Sequence, residues 1–146
     1  MTSADGRIVG DKTPPMNDRT NEGATQRLAR FLRILWLVGM VLAAVAMWVP
    51  SPYLPQEGIS DKLMHGVIFT LLAVLPTVSQ PTWLLSVGLG LSMIPFSIVL
   101  EIGQLWVPGR SFEVLDIEAN TLGVLLGVLA GTAVRLIQHW TAGRSS

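Results

Sequence analysis

The stretch that decides the fold is LMHGVIFTLLAVLPTVSQPTWLLSVGLGLSMIPFSIVL, residues 63–100, which contains no Asp, Glu, Lys or Arg. A helix needs about 20 apolar residues to cross a bilayer core of ~30 Å. These 38 residues therefore suffice for two spans. The polar turn signal between them is Ser79-Gln80-Pro81-Thr82. We predict helix two over about Asp61–Val78 and helix three over about Pro81–Gln104.

Two shorter uncharged runs, residues 34–56 and 119–134, flank this stretch. They predict helix one over about Leu28–Val49 and helix four over about Leu115–Gln138. The expected fold is an all-α membrane protein, a four-transmembrane-helix bundle over residues 28–138. A disordered tail at 1–27 and a short tail at 139–146 would both lie in the cytoplasm.

The composition excludes several classes of protein. Half of the residues are hydrophobic and 14% are charged, whereas a soluble domain carries roughly 25%. Ten basic residues cancel ten acidic ones, so there is no basic field that would attract nucleic acid. Cysteine is absent, which excludes disulfides, thiolate metal sites and cysteine nucleophiles.

Most of the basic residues flank helix one and helix four, which places both termini in the cytoplasm by the positive-inside rule. They are Arg7, Lys12, Arg19, Arg27, Arg30 and Arg33 on one side, and Arg135 and Arg144 on the other. The loops at 50–60 and 105–114 then face outward. Aromatic residues at the span ends fit this frame, with Trp83 and Trp140 inside and Trp48, Tyr53 and Trp106 outside.

Polar side chains from three helices converge on the outward edge of this arrangement. Residues three or four apart share a helix face, as Asp61 and His65 do. The predicted binding residues are Asp61, Lys62, His65, Glu101, Gln104, Arg110, Asp116 and Asn120. A guanidinium can satisfy two carboxylates, so we expect Arg110 to bridge Glu101 and Asp116. A lone histidine with carboxylates could bind a divalent metal, but one imidazole is weak support, so we predict no metal site. We also expect no cofactor.

Each of these residues also has a purely structural interpretation. Asp61 can cap helix two, Asp116 can complement the dipole of helix four, and His65 can bond a backbone carbonyl. For any one of them we favour structure over function. For the whole set the preference reverses, because so many ionisable and amide groups near a membrane are costly.

Helix four carries a row of small residues, Gly123, Gly127 and Gly131, extended by Ala119. Such a row lets helix backbones approach closely. It suits a dimer face or close packing within the bundle, and we favour packing. Pro76 and Pro95 are expected to kink helices two and three.

The motifs Asp61-Lys62-x-x-His65, Glu101-x-x-Gln104 and Arg110-x5-Asp116-x3-Asn120-x-x-Gly123 together resemble the signature of the VanZ-like family of small membrane proteins. The resemblance covers roughly Arg30–Gln138, with Glu118 where the family more often has an apolar or small residue. That family is named after an accessory protein in glycopeptide-antibiotic resistance. The resemblance implies a multi-pass protein of the bacterial inner membrane linked to the cell envelope, and it implies no reaction.

Three functions compete. The first is a binding or accessory protein that holds a lipid-linked envelope precursor or a glycopeptide. The second is a structural subunit of a larger membrane complex, with a membrane-protein partner or a homodimer. The third is a membrane-embedded enzyme acting on an envelope lipid, with Glu101 or His65 as the catalytic base. We favour the first and lean against an enzyme. The expected surroundings are the lipid bilayer, with no nucleic acid.

Overall fold

The computed structural model describes residues 16–50 and 61–144, which are helical apart from short turns and contain no strand. The helices are α1 (Met16–Met47), α2 (Asp61–Ser79), α3 (Trp83–Leu91), α4 (Met93–Gln104) and α5 (Val114–Ala142). Four segments are long and apolar enough to cross a membrane: Gly23–Met47, Asp61–Ser79, Trp83–Gln104 and Val114–Thr141. The prediction of an all-α, four-span membrane protein is thereby confirmed. The predictions on residues 1–15 and Tyr53 lie outside the described residues.

The third span is interrupted at Ser92, where α3 ends and α4 begins. Pro95, in the first turn of α4, has no N–H to donate to the carbonyl of Leu91, and its ring crowds that carbonyl. Local bonds keep the chain on a helical course, since Ser92 N donates to Gly88 O and Phe96 N to Ser92 O. The expected effect of Pro95 is therefore seen as a break between two short helices that remain one span.

The outer helices are longer than predicted. Helix α1 begins at Met16 rather than Leu28, and α5 continues to Ala142 rather than ending near Gln138. The membrane-crossing part of α1 begins at Gly23. The difference arises because apolar runs define what the bilayer covers, whereas a helix can continue into polar sequence beyond the membrane.

Hydrogen bonds between helix ends establish an up-and-down arrangement. At one end, which we call the carboxylate end, Gln104 Nε2 donates to Met47 O at 3.0 Å and Lys62 contacts Asp116. At the other, the arginine end, Arg33 and Arg135 both donate to carbonyls at the end of α2. Consecutive spans thus run antiparallel, as short loops require.

Helices α2 and α5 form the centre of the bundle, and the glycine row of α5 lies against α2. A methyl group on Gly123 would collide with the carbonyl oxygen of Gly66, and one on Gly127 with that of Thr70. Farther along, a methyl group on Gly131 would come 2.7 Å from Thr77 Cβ. The row is therefore covered within the chain, where small residues bring the two backbones together. This close approach places polar groups of α2 and α5 side by side at the carboxylate end.

Candidate functional site

The carboxylate end is built around a tight turn between α4 and α5. Pro108 and Gly109 occupy its central positions, Gly109 has φ 76°, and Arg110 N donates to Val107 O at 3.1 Å. This is the geometry of a type II turn, which requires a residue that tolerates positive φ at its third position. The turn directs Arg110 back toward the bundle, where its side chain is only 12% exposed.

Arg110 connects this turn to α1 and α2. Its Nε donates to the carbonyl oxygen of Val49 at 3.2 Å, and its terminal nitrogen lies 3.7 Å from Asp61 Oδ2. The expectation that Arg110 bridges Glu101 and Asp116 is therefore wrong. The turn brings the guanidinium to the end of α1 and the start of α2, where a carbonyl and another carboxylate receive it.

Lys62, rather than Arg110, bridges two carboxylates. Its ammonium donates to Glu113 Oε2 at 2.8 Å and to Asp116 Oδ1 at 3.3 Å, which joins the first turns of α2 and α5. Asp116 is buried, whereas Lys62 and Glu113 are both exposed by more than a third. The hydrogen bond from Lys62 lowers the pKa of Glu113 below its ordinary value of 4.5. The ion pair therefore forms with an ionised Glu113 at neutral pH.

Glu101 is fully buried at the end of α4. Its Oε1 accepts a hydrogen bond of 3.1 Å from the backbone N–H of Glu113, the residue that precedes α5. The carboxylate thereby satisfies one of the N–H groups that the start of a helix leaves unpaired. It also lies close enough to His65 and Asp116 to interact with both electrostatically.

Gln104 serves a different purpose from the rest of the predicted set. Its side chain is buried, and its amide donates to the last carbonyl of α1. Trp48 adds a second contact between α4 and the end of α1, since its ring nitrogen donates to Leu100 O at 3.3 Å. Gln104 therefore joins α4 to α1.

Three buried side chains of the predicted set carry polar atoms that have no hydrogen-bond partner among the described residues. These atoms are His65 Nδ1, Glu101 Oε2, and both Oδ1 and Nδ2 of Asn120. His65 is 5% exposed, and the other two are fully buried. An unpaired buried polar group costs about 1–3 kcal/mol, and more when it is charged. In the described parts of the chain the other such atoms are Trp36 Nε1 and Ser79 Oγ, so four of the six lie at the carboxylate end.

The packing of α2 on α5 sets Asn120 level with His65. A methyl group on Gly66, the neighbour of His65, would lie 3.5 Å from the carbonyl oxygen of Ala119, the neighbour of Asn120. Asn120 is also one helical turn beyond Asp116, on the same face of α5. His65, Asp116 and Asn120 thus belong to one buried region between α2 and α5. We call this region, together with Asp61 and Glu101, the polar cluster.

The model of the VanZ/LLP1 family matches residues 15–135, which include every residue of the polar cluster. The chain belongs to the VanZ/LLP1 family. No curated protein and no solved structure matches it significantly.

Glu113 is the residue of this VanZ/LLP1 chain that was not among the predicted binding residues but contributes to the site. It pairs with Lys62 through its side chain and with Glu101 through its backbone. The available signal was its position three residues before Asp116, at the start of a predicted helix. That spacing places two carboxylates within reach of one cation.

An apolar cleft of about 450 Å³ opens beside the same turn of α4 that carries Glu101. Its lining residues are Trp48, Val99, Ile102, Gly103, Trp106 and Val107. The rings of Trp48 and Trp106 are both substantially exposed. Glu101 lies between Val99 and Ile102 in the sequence, so the cleft and the polar cluster share this turn of α4, although the buried Glu101 does not itself line the cleft.

Proposed function

We propose that this VanZ/LLP1 membrane protein is an envelope-linked accessory protein that binds the polar head group of a lipid-linked envelope precursor. The carboxylate end would face the outside of the bacterial inner membrane. The observation that carries the proposal is the set of buried atoms on His65, Glu101 and Asn120 that have no partner in the described parts of the chain. A bundle that needed these side chains only for packing would pair them with one another or replace them with apolar residues.

A precursor head group supplies the chemistry that these atoms lack. Sugar hydroxyls both donate and accept, which suits the acceptor oxygen of Glu101 and the two-sided amide of Asn120. Lys62 and Arg110 are the cationic side chains that the described residues bring to this end, and they are the groups that would contact a phosphate of the head group. Both are also paired with carboxylates, so they are held in place before any ligand arrives.

The surroundings of the cluster favour a ligand with a lipid tail. The apolar cleft between Trp48, which follows α1, and α4 adjoins the turn that bears Glu101, and its walls suit a hydrocarbon chain. The distribution of arginines supports an outward carboxylate end. Arg27, Arg30, Arg33, Arg135 and Arg144 all lie toward the opposite end of the bundle, as expected of a cytoplasmic face.

Binding of a radiolabelled lipid-linked precursor to the purified full-length chain tests this function. We compare the wild type with Glu101→Gln, which keeps an acceptor oxygen for Glu113 N–H but removes the charge. The matched control is Glu118→Gln, which neutralises an exposed carboxylate two residues beyond Asp116. We expect Glu101→Gln to weaken binding at least about tenfold, equivalent to about 1.4 kcal/mol, and Glu118→Gln to leave it unchanged. Equal binding by all three proteins would refute the proposal.

The structural-subunit alternative gives a different result in the same preparation. If the polar cluster only holds the bundle together, Glu101→Gln will fail to accumulate in the membrane while the precursor binds no protein. Accumulation of a folded variant that has lost binding separates the two functions.

A further inference from the structure

Three side chains of the polar cluster have the spacing of a metal-binding site. The ligating atoms of Asp61, His65 and Asp116 all lie within 4.8 Å of one another. A metal ion bonds such nitrogen and oxygen ligands at roughly 2.0–2.2 Å, so two ligands on opposite sides of one ion are about 4.4 Å apart. Small rotations of the side chains would bring all three groups onto a single ion.

The charges around these three residues favour a cation. Among the described residues, four carboxylates gather here, on Asp61, Glu101, Glu113 and Asp116, against the cationic side chains of Lys62 and Arg110. With all six groups ionised, negative charge exceeds positive charge by two. A divalent cation would neutralise that excess in a region where Glu101 and Asp116 are shielded from water.

The unpartnered atoms provide an independent reason. The side chain of His65 is only 5% exposed, and its Nδ1 has no protein partner in the parts of the chain that the structure describes. A metal ion at Nδ1 would engage this atom and leave Nε2 beside Asp61 Oδ2, which lies 3.8 Å away. Buried ligating histidines normally have both nitrogens engaged in this way. Asn120, one turn from Asp116, adds a carbonyl oxygen that likewise has no partner there, on the same face of α5.

Lys62 and Arg110 are compatible with an ion at this position. Lys62 bonds Oδ1 of Asp116, and Arg110 lies against Oδ2 of Asp61. A carboxylate has two oxygens, so one can remain with the cationic side chain while the other ligates the metal. Contacts of this kind fix the orientation of metal ligands in many sites.

We propose that Asp61, His65 and Asp116 bind one divalent cation, with Asn120 as a further oxygen donor. Two carboxylates, an amide oxygen and one imidazole form a mixed ligand set suited to Mn²⁺, and the imidazole also suits Zn²⁺. This inference goes beyond the proposed function and does not depend on it, since the ligands all come from the chain itself. An ion would engage His65 and Asn120 Oδ1, and it would leave Glu101 Oε2 and Asn120 Nδ2 for a head group. The sequence did not predict the site, because the predicted polar set holds a single histidine and helical spacing does not show that α5 brings Asp116 beside it.

The test is a titration of chelator-stripped, full-length protein with Mn²⁺ in detergent, without added lipid. Bound Mn²⁺ is counted from the loss of the free-ion electron paramagnetic resonance signal. We expect one ion per chain, displaced by Zn²⁺. Asp116→Asn and His65→Gln should each weaken binding about tenfold or more, and Glu118→Gln should bind as the wild type does.

Two results would overturn the site. One is the absence of saturable binding of both ions by the wild type. The other is an equal loss in Glu118→Gln and Asp116→Asn, which would indicate nonspecific attraction to carboxylates. Circular dichroism shows which variants are folded, and if Asp116→Asn is unfolded, the comparison of His65→Gln with Glu118→Gln decides the test. Precursor binding measured separately in chelator shows whether the proposed function fails while the metal site stands.

Discussion

The side chain of Glu101 accepts a hydrogen bond from the backbone at the start of the last helix. The bond runs from Glu113 N to Glu101 Oε1 and is 3.1 Å long. Its other carboxylate oxygen, Oε2, is buried and has no partner among the described residues. One oxygen of Glu101 thus bonds the start of α5, and the proposed function assigns the other to a ligand. Substitutions can separate these two roles.

Glu101→Ala should lower the free energy of unfolding, whereas Glu101→Gln should lower it much less. Alanine leaves Glu113 N–H without this acceptor. The cost is about 1–3 kcal/mol for a fully buried group and should be smaller for this part-buried one. Glutamine retains an acceptor oxygen. Thermal unfolding in detergent measures both variants, and equal destabilisation would show that the hydrogen bond to Glu113 contributes nothing.

Gly123→Ala should be strongly destabilising because the added methyl group would meet the carbonyl of Gly66. Overpacking of this kind costs about 1–3 kcal/mol. Gly88→Ala is the matched control, since it also lies within a span but its new methyl group meets nothing within 4 Å. Alanine is the better helix former, so we expect the control to be neutral or slightly stabilising. An unchanged unfolding temperature for Gly123→Ala would contradict the α2–α5 packing.

The ion pair of Lys62 and Glu113 should become weaker in acid. The folded state lowers the pKa of Glu113, so the contribution to stability is present above the ordinary value of 4.5 and is lost as pH falls through the folded value. Wild type should therefore exceed Glu113→Gln in unfolding temperature at neutral pH, and the gap should close as the pH falls below the ordinary pKa of a glutamate. A gap that stays constant across this range would exclude the ion pair as its source.

Single cysteines test the orientation, since the chain contains none of its own. A membrane-impermeant thiol reagent added to whole cells should label Ser111→Cys at the carboxylate end. It should label Gln80→Cys and Thr141→Cys at the arginine end only after the cells are opened. Labelling of position 80 but not 111 in intact cells would invert the topology and remove the outward site.

The sequence was sufficient to predict the membrane spans but not the contacts between the ends of the helices. Long uncharged runs reveal membrane-crossing helices because the bilayer demands them, and the four observed spans match those predicted. The break at Ser92 depends on how the chain adapts around Pro95, for which the sequence signals only a kink. The sequence pattern shows which face of the last helix carries the glycine row. It does not show that this face packs against α2.

The error about Arg110 has a similar origin. A guanidinium at the end of a long side chain can reach several carboxylates, and the choice depends on the turn that carries it. The positive φ of Gly109 directs Arg110 toward Val49 and Asp61, and Lys62 takes the position beside Asp116. Helical spacing relates residues of one helix. It therefore cannot decide which group on another helix Arg110 will contact.

The most direct test of the central claim, that the polar cluster receives a ligand, is an experimental structure of the full-length chain in lipid nanodiscs with a lipid-linked precursor. We predict density within hydrogen-bonding distance of Glu101 Oε2 and the Asn120 amide, continuous with a tail in the cleft beside Trp48. A structure in which Glu101, His65 and Asn120 pair with one another, with no density between α2 and α5, would contradict the account.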